Sequence, residues 1–431
     1  MAATLALALV PAARAAGSGH PAPPPREALL QARSQIATLI TTASASSARD
    51  AAVRASRALA RATAGGLWIS SGEIVGPPYG ASVFGDTAAA LADLERVRAL
   101  RATGGVIVGA DRALAAGVIA EAHGGSLADL GAAHQALAGG DREARAGRRG
   151  VAVRSYATAW RHAFSALTGL VVTQATTLPQ STVAAAAENA LGSKRIGLAG
   201  PIIEQGQPLL TRAGKPEVFF AGSEACAFCG VQRWGMIVAL AQFGTFSNLN
   251  LMESTALQPP AVQGFTFFGT SYQSAYVTFV PVEVFSNVPA RIGFKHLEHL
   301  TPADSALIRH YDQPAQVPFI DVGNRFITVE STVQPQLIAG RRWRQIAASL
   351  RDPASIPAQA VGGEAEVLTA EICEATGGNP TSICSQPVVR DYEAALPLLN
   401  GRGGGCPAAA LDTARRWGRW PVATAAHCHR G

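Results

Sequence analysis

A chain of 431 residues with 48% hydrophobic and 15% charged residues has enough apolar material for packed cores and suggests two or three domains. Its formal net charge of +6 comes from scattered arginines, with no block of like charge beside aromatics, which argues against a nucleic-acid partner. Much of the apolar count is alanine, and no unbroken apolar run approaches the ~18 residues of a spanning helix, so none is predicted downstream of the start.

Residues 1–25 read as a signal segment and a Pro-rich linker. Thr4 to Val10 forms an apolar region, Pro11 to Ala16 a small-residue cleavage site, and Pro21 to Pro25 the linker. The basic n-region is missing, so either the segment has lost its beginning or it is an alanine-rich N-terminus. The export reading predicts an extracytoplasmic protein, secreted or membrane-associated through a missing or truncated N-terminal segment.

From residue 26 to 170 the periodicity is helical. Leu29, Arg33, Ile36 and Ile40 share one face, and Val53, Ser56, Leu59 and Thr63 another, before Gly65-Gly66 and Pro77-Pro78-Tyr79-Gly80 interrupt. Ile107, Asp111, Leu114 and Val118 follow, then a helix capped by Ser126, then Val153, Tyr156, Trp160, Phe164 and Leu167. His134 and His162 have no partner at metal-ligand spacing.

Residues 171–214, with Pro179, Gly192, Gly200-Pro201 and Gly206, read as a loop-rich connection. The stretch that follows carries the chemistry. Val218 to Ala221, bounded by Pro216 and Gly222, reads as a buried strand; after Cys226 the period changes to three and four through Cys229, Arg233, Ile237 and Leu240, a helix. A Cys-x-x-Cys therefore sits where a strand feeds the first turn of a helix. Unpaired backbone N–H groups and the helix dipole there stabilise a Cys226 thiolate, and Cys229 lies one turn in on the same face, placed to resolve a mixed disulfide. Glu224 is expected in solvent, the alternative being that it opposes thiolate formation; Arg233 and Trp234 are expected as packing and helix-surface residues first, with an influence on thiol electrostatics second. A static disulfide or a metal half-site are the competing readings of the pair; zinc would need further ligands, and only His296, His299 and His310 offer themselves, so no metal or cofactor is assigned.

Phe265 to Phe268 and Tyr276 to Phe285 read as strands, His299 to Tyr311 as a helix with Thr301-Pro302 as cap and first turn, and Gln316 to Val329 as a hairpin turning at Gly323-Asn324. Pro335 to Leu350 reads as a final amphipathic helix through Leu337, Ile338, Trp343 and Ile346. Strand, Cys-x-x-Cys helix, strand, helix, hairpin, helix is the order of a thioredoxin fold. The expected architecture is an N-terminal all-helical domain followed by a thioredoxin-like α/β domain with a mixed central sheet over residues 215–390 (α+α/β). In that fold Pro318 would be a cis-proline at the start of the hairpin strand, and the backbone at Val317 would pair with a substrate peptide beside Cys226.

Gly222-Ser-Glu-Ala-Cys226-x-Phe-Cys229 with Arg233-Trp234, Phe243 to Ser247, Phe265 to Glu283, Pro318 to Asp321 and the late Ile372-Cys373 and Cys384 resemble the thioredoxin-like domain of unknown function 929 over roughly residues 200 to 390. The resemblance implies a thioredoxin-type domain in extracytoplasmic or membrane-associated proteins and supplies no substrate. The chain departs from the family pattern at Ala227, where proline is usual, and at Gln232, where glutamate is usual.

Cys373 and Cys384 enclose a short Gly377-Gly378 loop that suits a structural disulfide; reduced buried thiols are the alternative. Cys406 and Cys428 lie in the Arg/Gly-rich tail, residues 391–431, and either pair or stay free. The expected function is thiol-disulfide exchange through Cys226 and Cys229 with protein thiols or disulfides, supported by an unidentified redox partner. The alternative is a non-catalytic adaptor with a structural 226–229 bridge and a helical interaction domain.

Overall fold

The computed structural model describes residues 22–95, 97–255, 259–312 and 316–399. Nearly all of the expected signal segment, and the tail with Cys406 and Cys428, fall outside them. In the N-terminal half, alanine sets the helix packing. Helices α1 (Pro25–Thr42) and α2 (Ser46–Ala62) meet through Ala28, Leu29, Ala32 and Ile36 on one side and Ala51, Ala52, Ala55, Ala58 and Leu59 on the other. The buried face of α2 is thus an alanine face, with Val53 and Ser56 at its margin; small side chains let helix backbones approach closely while the larger residues cover the edge.

The N-terminal region is helical as expected, with one exception. Between α2 and α3 (Ala81–Leu94) a hairpin forms from β1 (Trp68–Ser70) and β2 (Glu73–Ile74), where the Gly65-Gly66 break admits extended chain. Helices α4 (Arg101–Glu121), α5 (Leu127–Arg145) and α6 (Arg149–Thr176) complete the bundle. Ser126 caps α5 by accepting from the Asp129 N–H, and Val153, Tyr156, Trp160, Phe164 and Leu167 are all buried on α6. Among the described residues, α4 is the one helix long and apolar enough to cross a membrane, which the search for unbroken apolar runs did not register; half of that window is buried, and α4 lies against α1, α3 and α6.

The loop-rich reading of residues 171–214 is corrected. Helix α6 continues to Thr176, and α7 (Gln180–Ala190) buries Val183, Ala186, Ala187 and Ala190; its alanine-rich face carries too little hydrophobic contrast to stand out beside the flanking Gly and Pro. Short strands β3 (Ile202–Ile203) and β4 (Thr211–Arg212) then lead into β5 (Lys215–Ser223) and α8 (Ala227–Phe243). Next come β6 (Gly244–Ser247), β7 (Asn250–Glu253), β8 (Gln263–Thr266), β9 (Ser271–Ser274), β10 (Thr278–Pro289) and β11 (Phe294–His296). Helix α9 (Pro302–Tyr311) opens on a Thr301–Asp304 capping box, as the sequence predicts. The β12 (Phe319–Val322) and β13 (Phe326–Val329) hairpin turns through Gly323 and Asn324, both at positive φ, the conformation that a two-residue hairpin turn requires.

The central sheet is mixed, with order β11-β10-β5-β12-β13-β3. Strand β10 runs parallel to β5, with Glu283 opposite Gly222, and β12 runs antiparallel on the other side, with Asp321 opposite Phe219. β4 pairs with the start of β5, and β6–β9 and β7–β8 form separate two-stranded ribbons.

The single helix expected over Pro335 to Leu350 is two pieces, a 3-10 turn at Pro335–Leu337 and α10 (Trp343–Ser349), because Gly340 takes a left-handed φ of 76° between them. Helix α11 (Ile356–Ala375) was not anticipated. It is buried on nearly every side between α7, α8 and α13, so it lacks a polar face to give it a period. After α12 (Thr381–Cys384), α13 (Pro387–Leu399) carries buried Tyr392, Leu396 and Leu399, so packed structure runs beyond the 390 boundary.

Cys373 and Cys384 are disulfide-bonded, with Cα atoms 5.4 Å apart across a sequence separation of 11. Replacing both by serine frees that loop in the unfolded chain and should lower the unfolding free energy by about 3 kcal/mol. Urea unfolding midpoints under oxidising conditions check this; an unchanged midpoint would mean that the bridge adds nothing to the packing around it.

Candidate functional site

Strand β5 ends at Ser223, whose hydroxyl accepts from the Ala225 N–H, and the chain turns through Cys226 into α8. Cys226 is the helix N-cap: its backbone is extended and its Sγ accepts from the Cys229 N–H at 3.2 Å. Serine or aspartate does the same work elsewhere by satisfying an orphan donor of the first turn. Here the cap atom is a sulfur, so the helix holds it in place and favours its anionic form. The Cys226 thiol also donates to the Val317 carbonyl at 3.5 Å, which fixes β12's entry, and the cis Val317–Pro318 bond, beside the cysteines.

Cys226, Cys229, Val317 and Pro318 are therefore assembled in one place, and the two cysteines are unbonded thiols. All four are buried; Cys226 is 1% exposed and Val317 7%. A substrate peptide pairing with the backbone at Val317 beside Cys226, as the sequence predicts, would need an approach that this burial closes.

Two other expectations are overturned beneath the cysteines. Arg233 is not a helix-surface residue but wholly buried, and its Nε and Nη2 donate to the Glu283 carboxylate at 2.8 and 2.6 Å. Glu224 is not in solvent but 5% exposed, its Oε2 accepting from the Asn287 N–H at 3.3 Å. Both follow from topology. Parallel pairing of β10 with β5 sets Glu283 opposite Gly222, directly under the helix, and beyond Glu283 the pairing shifts so that Phe285 stands against Ser223 while its carbonyl accepts from the Glu224 N–H. Glu283 is held further by the Phe267 N–H, donated to its Oε1 at 3.1 Å, and its own N–H donates to Glu298 at 2.7 Å.

These surroundings set the ionisation. Burial by itself would raise the Cys226 thiol, but the Cys229 side chain and N–H, with the Arg233 charge, draw it below its ordinary value. Burial pushes Cys229 well up, and the neighbouring Cys226 sulfur adds to the effect. The outer sulfur is thus the first thiolate and the inner one keeps its proton. Burial, then the Glu283 charge, raises the Glu224 carboxyl to about 7.

The helical region also reaches the site. Burial and the Glu224 charge hold the Tyr79 hydroxyl above its usual range, while the Ser286 side chain, a hydrogen-bond partner just beyond the β5–β10 pairing, opposes them. Glu283 and Tyr79 escaped the sequence reading. A lone acid within the apolar Tyr276 to Phe285 run was the available signal for Glu283; nothing local marked Tyr79. Gln232 is buried and accepts from the Thr332 N–H at 2.9 Å, a fixed structural contact. His296 and His299 stack with centroids 5.4 Å apart, and among the described residues no cluster of three or more His, Cys, Asp or Glu is placed to hold a metal.

Residues 203–374 match the family model described as a domain of unknown function (DUF929). No curated protein and no solved structure matches the chain.

Proposed function

We propose, for a chain whose matched segment comes from a domain family without an assigned activity, that Cys226 and Cys229 carry out thiol-disulfide exchange on protein substrates in a domain of thioredoxin-like architecture. One observation carries the reading. The thiol that caps α8 at the end of β5 touches the Val317 carbonyl ahead of Pro318 and has a second thiol one helical turn behind it. The parallel β5–β10 pair flanked by the antiparallel β12–β13 hairpin supports the architecture.

In the reducing direction, the Cys226 thiolate attacks one sulfur of a substrate disulfide. A Cys226–substrate disulfide forms as the substrate bond breaks, and the other substrate sulfur leaves as thiolate. Cys229 then passes its proton to the substrate thiolate just released and attacks Cys226 Sγ, which closes the 226–229 disulfide and releases the second substrate thiolate. Two electrons pass to the substrate, and a dithiol partner must return them. In the oxidising direction a substrate thiolate attacks the 226–229 disulfide and the same steps run in reverse.

Cys229→Ala removes the resolving sulfur and should trap substrate proteins on Cys226 as adducts that reductant releases and that Cys226→Ser abolishes. Non-reducing gels of the variant expressed in an oxidising compartment read this directly; an absence of adducts there would remove the exchange reading. The burial of Cys226, Val317 and Pro318 favours a second reading, an adaptor whose cysteines are structural. For that protein no adduct forms, and the two thiols react with alkylating reagents only once it is unfolded. We place the protein outside the cytoplasm, because the Cys373–Cys384 bridge is the kind an oxidising compartment maintains. Membrane association would rest on the N-terminal segment outside the described residues.

A further inference from the structure

We infer that Arg233, pinned by Glu283, is a positioning residue that presents a fixed positive charge beneath the two cysteine sulfurs and stabilises the thiolate through which exchange runs; this rests on the exchange reading above. Cys229 and Arg233 are four residues apart on α8, so they stand one above the other on the face turned to the sheet. Arg233 is 0% exposed, as is Glu283. Burying such a pair gains little stability over a well-packed apolar pair, because desolvation consumes most of the Coulomb attraction. That cost calls for a purpose other than stability.

The orientation of the pair supplies one. Glu283 takes Nε and Nη2 of the guanidinium, while Nη1 is buried with no hydrogen-bond partner among the described residues. The edge of the arginine opposite the carboxylate therefore keeps donors free in a water-poor space, and both cysteine thiols sense the positive charge. The Phe220 ring lies against the guanidinium, its centre 5.6 Å from Cζ. The pair thus acts as a dipole with its cationic end toward the sulfurs and its anionic end on β10. When Cys229 gives up its proton in the resolving step, the new thiolate forms beside a counter-charge already in place, at little reorganisation cost.

Two variants move the sulfurs in opposite directions. Glu283→Gln removes the opposing negative end and keeps the arginine, so the Cys226 thiol should ionise at lower pH. The double variant Arg233→Met with Glu283→Gln removes both charges without leaving one unpaired, and the thiolate fraction at neutral pH should fall on the order of tenfold, equal to one pKa unit. Both are read on reduced full-length protein by titrating the ultraviolet absorbance of the thiolate, and then by equilibrating the 226–229 pair against glutathione buffers. Thiolate stabilisation favours the reduced form, so the double variant should shift the pair toward disulfide. Should the double variant fail to fold, Arg233→Lys, which keeps the charge, should leave the titration near wild type while Glu283→Gln lowers it. Identical titrations in wild type, Glu283→Gln and the double variant would overturn the inference and reduce the pair to a packing element. The titration requires no substrate, so a protein that titrates as expected but traps no adduct loses the exchange reading and keeps the electrostatic one.

Discussion

The folded chain should lose several kcal/mol of stability as the pH climbs from about 4.5 through about 7, a fall set by buried carboxyls whose folded pKa lies above the unfolded one. Glu366 on α11 is wholly buried with no hydrogen-bond partner on either oxygen among the described residues, and burial raises it to about 7. Burial raises Asp321 to about 6, helped by the Glu217 charge, and burial with the Glu283 charge brings Glu224 to about 7. Glu364 and Glu371 are driven in the same direction by burial. A carboxyl of this kind binds its proton more tightly folded than unfolded. Its contribution is complete below the unfolded value and is lost as the pH rises through the folded one.

For Glu366 alone the loss is on the order of 3 kcal/mol at ~1.4 kcal/mol per pKa unit. Asp141 works the other way: burial would raise it, but its hydrogen bonds with Arg112 and Tyr156 lower it, and because Arg112 is about half exposed the pair offsets little. Urea unfolding at about pH 5 and about pH 8 should give the lower midpoint at the higher pH, and Glu366→Gln should remove part of the difference. A wild-type midpoint that is flat or rises across that interval would show that water or a cation satisfies these carboxylates.

Trp343→Ala should cost about 3–5 kcal/mol, the range for truncating a buried tryptophan. Trp343 is the first residue of α10 and is 1% exposed. Its indole N–H donates to the Gly264 carbonyl at 2.7 Å, its backbone N–H donates to Gln263 Oε1 at 2.7 Å, and its ring meets Phe164 of α6 edge-on at 5.9 Å. Gln263 in turn donates to Glu73 at 3.2 Å, and Arg342 donates to Glu121 at 2.8 Å. One side chain therefore ties the helical bundle to the β7–β8 ribbon and, through Trp234 and Phe265 with centroids 4.5 Å apart, to the helix that carries the cysteines. The alanine variant should unfold with the bundle partly uncoupled, visible as separate transitions by far-ultraviolet dichroism and by intrinsic fluorescence. Trp343→Phe keeps most of the volume but loses the indole donor to the Gly264 and Met252 carbonyls, and should cost about 1 kcal/mol. A single transition of unchanged midpoint in Trp343→Ala would show that the bundle is held elsewhere.

The same contacts separate what was legible in the sequence from what was not. Where a short window contains its own physical cause, the reading held. The Pro-free helix after Cys226, the Thr301 capping box, the Gly323-Asn324 turn and the Cys373–Cys384 bridge each rest on residues near one another in the chain, whereas Pro318 beside the cysteines, about ninety positions away, was legible only through the order of the elements. Helices α7 and α11 were missed because hydrophobic period needs a polar face for contrast. An alanine face and an all-round buried helix with glutamates at 364, 366 and 371 both blur it.

Local sequence determined that two thiols one turn apart would stand at the mouth of a helix, since 3.6 residues per turn and a strand-to-helix change require it. It could not determine their company. Register between β5 and β10, strands separated by more than fifty positions, puts Glu283 under Arg233 and brings Glu224 out of water, while the bundle delivers Tyr79. The charge, the dryness and the closed approach at Cys226 belong to those distant pairings, because burial is a property of everything that surrounds a side chain and no single segment contains it.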